Sequence, residues 1–239
     1  MLIALFWWAW GRFGKSQSEQ REILLFGLVD SFLAVLVARV LAAALPFRER
    51  PMRVASLHWQ LPHGIDQQAL VHWSSFPSDH ATLAFCLAGI LWQVSKPLGS
   101  IAALQAFFAV GPARIYCGIH YLTDVLAGAV LGIGIAFLAR ITFLRLKVAR
   151  PATRWLEKHP SSFYAVLFIW TFEMAEMYDS VRSFFQTVGI TEMLKTMFHL
   201  RTTLLLHGVQ GVHAYSAQIL GGTFAQAFAN AFALITRWR

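Results

Sequence analysis

The feature that most constrains this chain is an almost continuous apolar run over residues 23–46, ILLFGLVDSFLAVLVARVLAAALP. A helix of about 20 apolar residues is long enough to cross the hydrocarbon core of a bilayer. Asp30 and Arg39 interrupt the run, and each would be costly if it faced lipid. We therefore expect this segment to cross a membrane with its two charged residues turned toward other helices.

Three further apolar segments follow, at 79–95, 97–118 and 121–144. The composition agrees with membrane segments, because 57% of the 239 residues are hydrophobic and only 13% are charged. Soluble domains usually carry about 25% charged residues. A soluble fold of this length could not bury so much apolar surface. We predict an all-α, polytopic membrane helix bundle with about five or six transmembrane helices.

The basic residues that give the chain its net charge of +8 lie mostly between the apolar runs. There they orient a membrane protein and meet anionic head groups, so nucleic acid is not an expected partner. The loops at 11–22 and 145–158 are strongly basic, and Lys96 lies on the same side. By the positive-inside rule all three are cytoplasmic. The loop at 47–77 and the turn at 113–120 then share the outer, periplasmic or extracellular, face of the cell membrane.

The N-terminal stretch 1–10, MLIALFWWAW, lacks a basic region and a cleavage site, so it is a poor signal peptide. It is also too short to cross a bilayer alone. A partial span, an interfacial segment and a chain that begins upstream remain as alternatives. Cys86 and Cys117 lie within or beside apolar segments, which favours small packing residues over a disulfide.

Three separated polar pieces fall on the predicted outer face: RERP at 48–51, PSDH at 77–80 and ARIYCGIHYLTD at 113–124. Asp124 follows His120 by four residues, which places both on one face of a helix. A carboxylate that accepts one ring N–H fixes the histidine tautomer and leaves a lone pair on the other nitrogen. Such an imidazole is an oriented nucleophile or base.

The remaining residues of these pieces suit a tetrahedral oxyanion. Arg48, Arg50 and Arg114 offer forked donors that match such an anion. His80 supplies a second imidazole that can transfer a proton to a leaving group. Each piece alone has an ordinary explanation, since Arg114 could anchor a helix at the interface and Ser78 or Asp79 could cap one. All three at these spacings on one face favour an enzyme.

The three pieces resemble the signature of the type 2 phosphatidic acid phosphatase (PAP2) superfamily, which includes lipid phosphate phosphatases and vanadium haloperoxidases. The resemblance covers roughly residues 39–145. The family's third motif corresponds to Arg114, five residues, His120, three residues and Asp124. Its second motif, Pro-Ser-Gly-His, corresponds to residues 77–80, and its first to Arg50-Pro51.

The chain departs from that signature at three places. Ala113 replaces the family serine, Asp79 replaces the glycine, and Ala43 stands where a lysine is expected. A carboxylate at position 79 would repel phosphate unless it points away or is protonated. Arg39 or Arg48 could substitute for the missing lysine.

The resemblance implies a two-step hydrolysis of a lipid phosphate or pyrophosphate. His120 would be the nucleophile that forms a phosphohistidine, Asp124 would orient it, and His80 would be the acid and then the base. The groups implied to surround the phosphate are Arg50, Arg114, Ser78 and Asp79, with Arg39 or Arg48. No metal and no cofactor are expected, because the arginines supply the charge neutralisation.

The implied substrates are undecaprenyl pyrophosphate, phosphatidic acid and phosphatidylglycerol phosphate, with a preference for the polyprenyl pyrophosphate or a broad range of lipid phosphates. We expect residues 1–159 to form the PAP2-like catalytic membrane core and residues 160–239 a C-terminal helical membrane extension of unknown role. An oligomer is left open. The alternative is a non-catalytic PAP2-like scaffold or transporter subunit, which the departures at Asp79, Ala113 and Ala43 favour.

Overall fold

The computed structural model describes residues 1–12, 18–62 and 73–178, and every regular element in these ranges is a helix. They lie within one compact unit, Met1–Arg182. The α-helices of the described ranges are α1 (Leu2–Arg12), α2 (Ser18–Ala44), α3 (Asp79–Val94), α4 (Lys96–Gln105), α5 (Gly111–Tyr116), α6 (Leu122–Ala136), α7 (Thr142–Lys158) and α8 (Pro160–Ala175). A π-helical turn, Ala106–Val110, joins α4 to α5, and a 3-10 turn, Phe137–Arg140, extends α6. The predicted all-α class is confirmed.

Three stretches among the described residues are long and apolar enough to cross a membrane: Glu19–Ala44, Lys96–Tyr116 and Leu122–Arg140, with 26, 21 and 19 residues. The second and third of them expose large apolar side chains, as lipid-facing helices do: Ile101, Leu104, Phe107, Phe108, Leu126, Val130, Ile133 and Phe137. The prediction of a polytopic membrane bundle is confirmed by these spans. The count of five or six remains a prediction.

Helix α3 lies at the centre of the bundle, between α2, α4 and α6. Most of its residues are buried and small or aliphatic: Ala81, Ala84, Cys86, Leu87, Ala88, Ile90 and Leu91. Helix α6 approaches it through Gly128 and Gly132. A Cβ on Gly128 would lie 2.5 Å from the carbonyl oxygen of Ser78, and one on Gly132 would collide with the carbonyl of Thr82. At these two positions the glycines therefore let α6 pack closely against the backbone of α3.

The two charged residues inside the first apolar run face protein, as predicted. Asp30 is fully buried in α2, and neither carboxylate oxygen has a hydrogen-bond partner within the described ranges. The Nη2 atom of Arg39 donates to the carbonyl oxygen of Met177 at 2.7 Å. Arg39 thereby connects the end of α2 with the turn that follows α8.

The prediction of a basic loop at 145–158 is wrong, because these residues belong to helix α7. Helices can expose basic residues on one face while an apolar face packs. Arg145 lies on the packed face, where its guanidinium forms ion pairs with Glu19 at 3.2 Å and Glu22 at 3.4 Å. These ion pairs tie α7 to the start of α2, and Lys147, Arg150, Arg154 and Lys158 remain exposed.

The N-terminal stretch is helix α1, and it packs into the bundle. Phe6, Ala9 and Trp10 are buried, and the Trp10 ring stacks on Phe163 of α8 with ring centroids 5.9 Å apart. Helix α8 therefore shares its core with α1 and α2. The division at residue 159 remains a prediction, and the apolar stretch 195–236 lies outside the described residues. Cys86 and Cys117 are free, as predicted.

Candidate active site

The three polar pieces meet at one end of the bundle, where α2 and α5 end and α3 and α6 begin. Backbone hydrogen bonds join them in pairs. The N–H of Ser75 donates to the carbonyl of Arg48 at 2.9 Å, and that of Ser78 to the carbonyl of Asp124 at 3.1 Å. His80, at the start of α3, and His120, just before α6, therefore lie at the same end. Helix α7 follows α6 and lies at the opposite end.

His120 is buried, with 3% of its surface exposed. Its Nδ1 atom lies 2.7 Å from the carbonyl oxygen of Ser75 and 3.7 Å from Oδ2 of Asp124. A carbonyl oxygen can only accept, so Nδ1 carries the proton and Nε2 carries a lone pair. The sequence assigned this orienting role to Asp124, whereas the shorter contact is with a backbone carbonyl.

Asp124 is fully buried and its carboxylate is held by two other groups. Oδ1 accepts from Nη1 of Arg48 at 2.6 Å, and Oδ2 accepts from the backbone N–H of Tyr121 at 2.9 Å, which caps α6. The Arg48 guanidinium also donates to Thr123 and lies 4.1 Å from the centre of the Tyr121 ring. Arg48 therefore neutralises Asp124 at the edge of the site.

Arg50 is buried between two turns of the site. Its Nη1 donates to the carbonyl of Ile119 at 3.0 Å and its Nη2 to the carbonyl of Ser74 at 3.3 Å. Burial lowers the pKa of the Arg50 guanidinium, and the negative charges of Asp79 and Asp124 oppose that shift. Its Nε is also buried and has no hydrogen-bond partner within the described ranges.

The PSDH piece begins helix α3. Ser78 is fully buried and caps the helix, its hydroxyl oxygen accepting from the N–H of Ala81 at 3.4 Å. Asp79 Oδ1 accepts the backbone N–H of His80 at 2.9 Å and also lies 2.9 Å from its Nδ1. Asp79 Oδ2 lies 3.7 Å from Nε of Arg39. The Asp79 carboxylate therefore lies between His80 and Arg39 and does not turn away from the site.

Two cavities with different linings divide the site residues. A small polar cavity of about 30 Å³, the size of one water molecule, is lined by Ala38, Arg39, Ala42, Arg50, Trp73, Ser74, Pro77, Asp79 and His120. A larger, mostly apolar cavity of about 540 Å³ is lined by His80, Arg114, Ala113, Cys117, Gln105, Ala109, Val110 and side chains of α1, α3 and the end of α8. Arg48 and Ser78 line neither cavity.

Arg114 lies in α5 and its side chain faces the larger cavity. Its guanidinium forms no hydrogen bond or ion pair within the described ranges, and the Asp79 carboxylate acts on it through space. The Arg114 carbonyl accepts from the N–H groups of Ile119 and His120 at 3.1 and 3.3 Å, so the same residue shapes the turn that carries His120. Arg114 and His80 are thus presented to one cavity.

Two contributors to the site were missed by the sequence prediction. Ser75 acts through its backbone carbonyl, and no side-chain pattern can indicate that. Gly118 adopts a left-handed conformation with φ 64°, and a Cβ there would lie 2.6 Å from the indole nitrogen of Trp59 and 2.9 Å from Cβ of Met52. A glycine inside the turn before a site histidine was the signal that could have found it.

The arrangement contains the groups that a nucleophilic attack on a tetrahedral anion requires. One imidazole presents a lone pair, a second imidazole is paired with a carboxylate, and three arginines, Arg39, Arg50 and Arg114, surround the two cavities. Guanidinium groups in a site shielded from water stabilise the charge that develops on phosphoryl oxygens. Within the described ranges, the fold thus brings His80, His120 and these arginines together at one end of the helix bundle.

Two known proteins match about half of the chain. The chain is 32% identical over 126 residues to a Bacillus subtilis protein named undecaprenyl-diphosphatase BcrC, covering 53% of this chain and 60% of that protein. It is 28% identical over 116 residues to a Bacillus licheniformis protein named bacitracin transport permease protein BcrC, covering 48% and 53%. The matches thus span about half to three-fifths of these relatives. No solved structure matches the chain. A family model matches residues 23–148, which contain every motif of the site, and the chain belongs to the PAP2 superfamily.

Proposed function

We propose that this protein is an integral membrane phosphatase that hydrolyses a lipid phosphate or pyrophosphate through a phosphohistidine. The observation that carries the proposal is the convergence of His80, His120, Arg50 and Arg114 at one end of a membrane helix bundle. The superfamily membership and the name of the B. subtilis relative support the same class of substrate. Undecaprenyl pyrophosphate is the preferred candidate, ahead of phosphatidic acid and phosphatidylglycerol phosphate.

In the first step the Nε2 lone pair of His120 attacks phosphorus and forms a P–N bond. The bond from phosphorus to the leaving oxygen breaks, and its electron pair goes to that oxygen, which takes a proton from Nε2 of His80. The guanidinium groups of Arg50 and Arg114 stabilise the phosphoryl oxygens, with Arg39 beside them. The Ser75 carbonyl keeps the proton of His120 on Nδ1, away from the attacking atom.

In the second step a water molecule replaces the histidine. His80 takes a proton from water at Nε2 while the water oxygen attacks phosphorus. The P–N bond breaks and its electron pair returns to Nε2 of His120, which releases inorganic phosphate and restores both imidazoles. The arginines carry the charge neutralisation, so we propose that the reaction proceeds without a metal ion.

The larger cavity supports a lipid as the substrate. It is mostly apolar, it holds about 540 Å³, and two cationic or protonatable groups, Arg114 and His80, lie on its wall. A pocket of this kind suits an apolar chain whose phosphate end lies at the polar wall. We propose that the part of the lipid chain next to the phosphate occupies this cavity.

We propose that the site faces the outer side of the cell membrane. Helix α7, at the opposite end, exposes Lys147, Arg150, Arg154 and Lys158, which favours the cytoplasm. The arginines near the site have other partners, since Arg48 binds Asp124 and Arg53 lies 3.9 Å from Glu49. A Ser56→Cys variant lacking the native cysteines should react with an impermeant maleimide on intact cells, and Lys158→Cys only after permeabilisation. The reverse labelling would contradict this orientation.

The activity is tested by phosphate release from the purified protein in detergent with EDTA present. The substrates are undecaprenyl pyrophosphate, phosphatidic acid and phosphatidylglycerol phosphate. We expect release from at least one of them, inhibition by vanadate, and loss of activity in His120→Ala but not in His159→Ala, an exposed histidine between α7 and α8. Brief incubation with a ³²P-labelled substrate should leave an acid-labile label on the wild type and none on His120→Ala.

A transporter or scaffold subunit is the second candidate, and the name of the B. licheniformis relative favours it. The departures at Ala113 and Ala43, which remove groups expected at a phosphate site, also point that way. Absence of phosphate release from all three lipids would replace the phosphatase proposal with this one.

A further inference from the structure

Both imidazoles of the site are held at Nδ1, but by different kinds of acceptor. The Nδ1 of His120 lies 2.7 Å from a backbone carbonyl, that of Ser75. The Nδ1 of His80 lies 2.9 Å from a carboxylate oxygen, that of Asp79. In both cases the Nε2 atom is left for chemistry, so the difference between the two rings lies in the charge of the partner.

The neutral partner of His120 and the charged partner of His80 suit different roles for the two imidazoles. A neutral carbonyl orients an imidazole without favouring a positive charge on it, which suits a nucleophile that must keep its lone pair. A carboxylate orients the ring and also stabilises the imidazolium that holds a second proton. An imidazole that must deliver a proton to a leaving oxygen benefits from that stabilisation.

The Asp79 carboxylate is itself fixed in place. Oδ1 accepts the backbone N–H of His80 as well as facing its ring, and this N–H belongs to the first turn of α3. Oδ2 lies 3.7 Å from Nε of Arg39, whose Nη2 is in turn bound to the carbonyl of Met177. A carboxylate restrained on both oxygens can determine the orientation of the ring beside it.

We propose that Asp79 is a positioning residue that acts through His80, holding its Nδ1–H so that Nε2 delivers the proton to the leaving oxygen. The inference rests on the proposed phosphatase function. As the P–O bond breaks, its electron pair goes to the leaving oxygen, the Nε2 proton of His80 moves to it, and His80 becomes neutral with Nδ1–H still bound to Asp79. Asp79 neither gains nor loses a proton.

The effect of Asp79 should then depend on the leaving group. An alkyl phosphate releases an alkoxide that needs the proton, whereas p-nitrophenyl phosphate releases a phenolate that does not. The ratio kcat/KM reports steps up to the formation of the phosphohistidine, so the later attack of water does not enter. We expect Asp79→Asn to lower kcat/KM for decyl phosphate by about 100-fold, as loss of acid catalysis does. The loss for p-nitrophenyl phosphate should be within about threefold, since that step gains little from an acid.

The same experiment includes a double-variant test. In a His80→Ala background, Asp79→Asn should cause no further loss with decyl phosphate, because the group through which Asp79 acts is gone. Asp79→Gly, which restores the glycine of the family motif, provides a second substitution if Asn disturbs the fold. Glu157→Gln, which removes an exposed carboxylate at the other end of the bundle, is the matched control and should leave both substrates unaffected.

Three results would overturn the inference. An equal loss with both substrates, or a loss that persists in the His80→Ala background, would mean that Asp79 acts on the fold. An increase in kcat/KM in Asp79→Asn or Asp79→Gly would mean that the carboxylate mainly repels the phosphate. A wild-type protein that hydrolyses neither these substrates nor the lipids would instead remove the phosphatase function on which the inference rests.

Discussion

The Nδ1 atom of His120 lies a full ångström closer to the carbonyl oxygen of Ser75 than to the carboxylate of Asp124, at 2.7 against 3.7 Å. The tautomer of the proposed nucleophile therefore depends on the backbone. Asp124 contributes negative charge at short range, and Arg48 already compensates part of that charge. Substitution of Asp124 can therefore separate the effect of its carboxylate from that of the Ser75 backbone carbonyl.

Asp124→Asn should retain measurable activity, because the Ser75 carbonyl still orients the ring. We expect kcat/KM for a lipid phosphate to fall about 10- to 100-fold, whereas loss of a tautomer-fixing carboxylate costs about 10⁴-fold. His120→Ala should abolish turnover. The measurement is phosphate release at several substrate concentrations. A loss in Asp124→Asn as complete as that in His120→Ala would show that the carboxylate is the orienting group.

Arg114→Ala should mainly weaken anion binding, and Arg48→Ala should mainly lower the stability of the protein. Arg114 presents a free guanidinium to the larger cavity, so its loss should weaken inhibition by vanadate by about 10- to 150-fold, as expected for a charged hydrogen bond of about 1.5–3 kcal/mol. Arg48, which is 39% exposed, pairs with the buried Asp124, and its removal should destabilise the protein by about 1–3 kcal/mol through loss of a charged hydrogen bond. Vanadate inhibition and thermal unfolding in detergent measure the two effects. Weaker vanadate inhibition in Arg48→Ala together with lower stability in Arg114→Ala would contradict the geometry.

Two glycines of α6 provide a matched test of helix packing. A Cβ on Gly132 would collide with the carbonyl of Thr82, whereas a Cβ on Gly134 meets nothing within 4 Å. We expect Gly132→Ala to destabilise the protein by about 1–3 kcal/mol through overpacking. Gly134→Ala should be neutral or stabilising by up to about 1 kcal/mol, because alanine favours the helix. Unfolding midpoints in one detergent compare them, and equal midpoints would rule out the close contact.

A bulky residue in the larger cavity should discriminate between substrates. Ala109 lines that cavity on the π-helical turn. Ala109→Trp should raise KM about 10-fold, or 1.4 kcal/mol, for a long-chain lipid phosphate and leave p-nitrophenyl phosphate unaffected. Leu104→Trp, at an exposed position of α4 outside the cavity, is the control. If both variants behave alike with both substrates, the lipid chain binds elsewhere.

The sequence was sufficient to predict the helical membrane class and the residues that converge at one end of the bundle. Both depend on apolar runs and motif spacing, which can be read from the residue types and their order. It could not distinguish Arg39 from Arg48 as the arginine of the polar cavity. That choice depends on how the end of α2 meets α3, where Arg39 approaches Asp79 and Arg48 instead reaches Asp124. The repulsion expected from Asp79 was also not decidable from sequence, because it depends on where one carboxylate points.

The error at 145–158 has a different cause. Basic residues alternate there with Leu146, Val148 and Trp155, and the density of charge suggested a loop. The segment is a helix because Arg145 finds Glu19 and Glu22 on α2, and because the apolar face packs against the bundle. In proteins, most of the stability of such a helix comes from the packing of its apolar face.

The contact of Gly128 and Gly132 with the backbone of α3 has a mechanical consequence. His80 lies in the first turn of α3 and His120 just before α6, so this close contact limits how far the backbones that carry the two histidines can move apart. We expect a change in the thickness of the surrounding bilayer to tilt α3 and α6 together and not to separate them. Main-chain contact thus sets the spacing of the two backbones, and the rotamers of His80 and His120 set the distance between the rings.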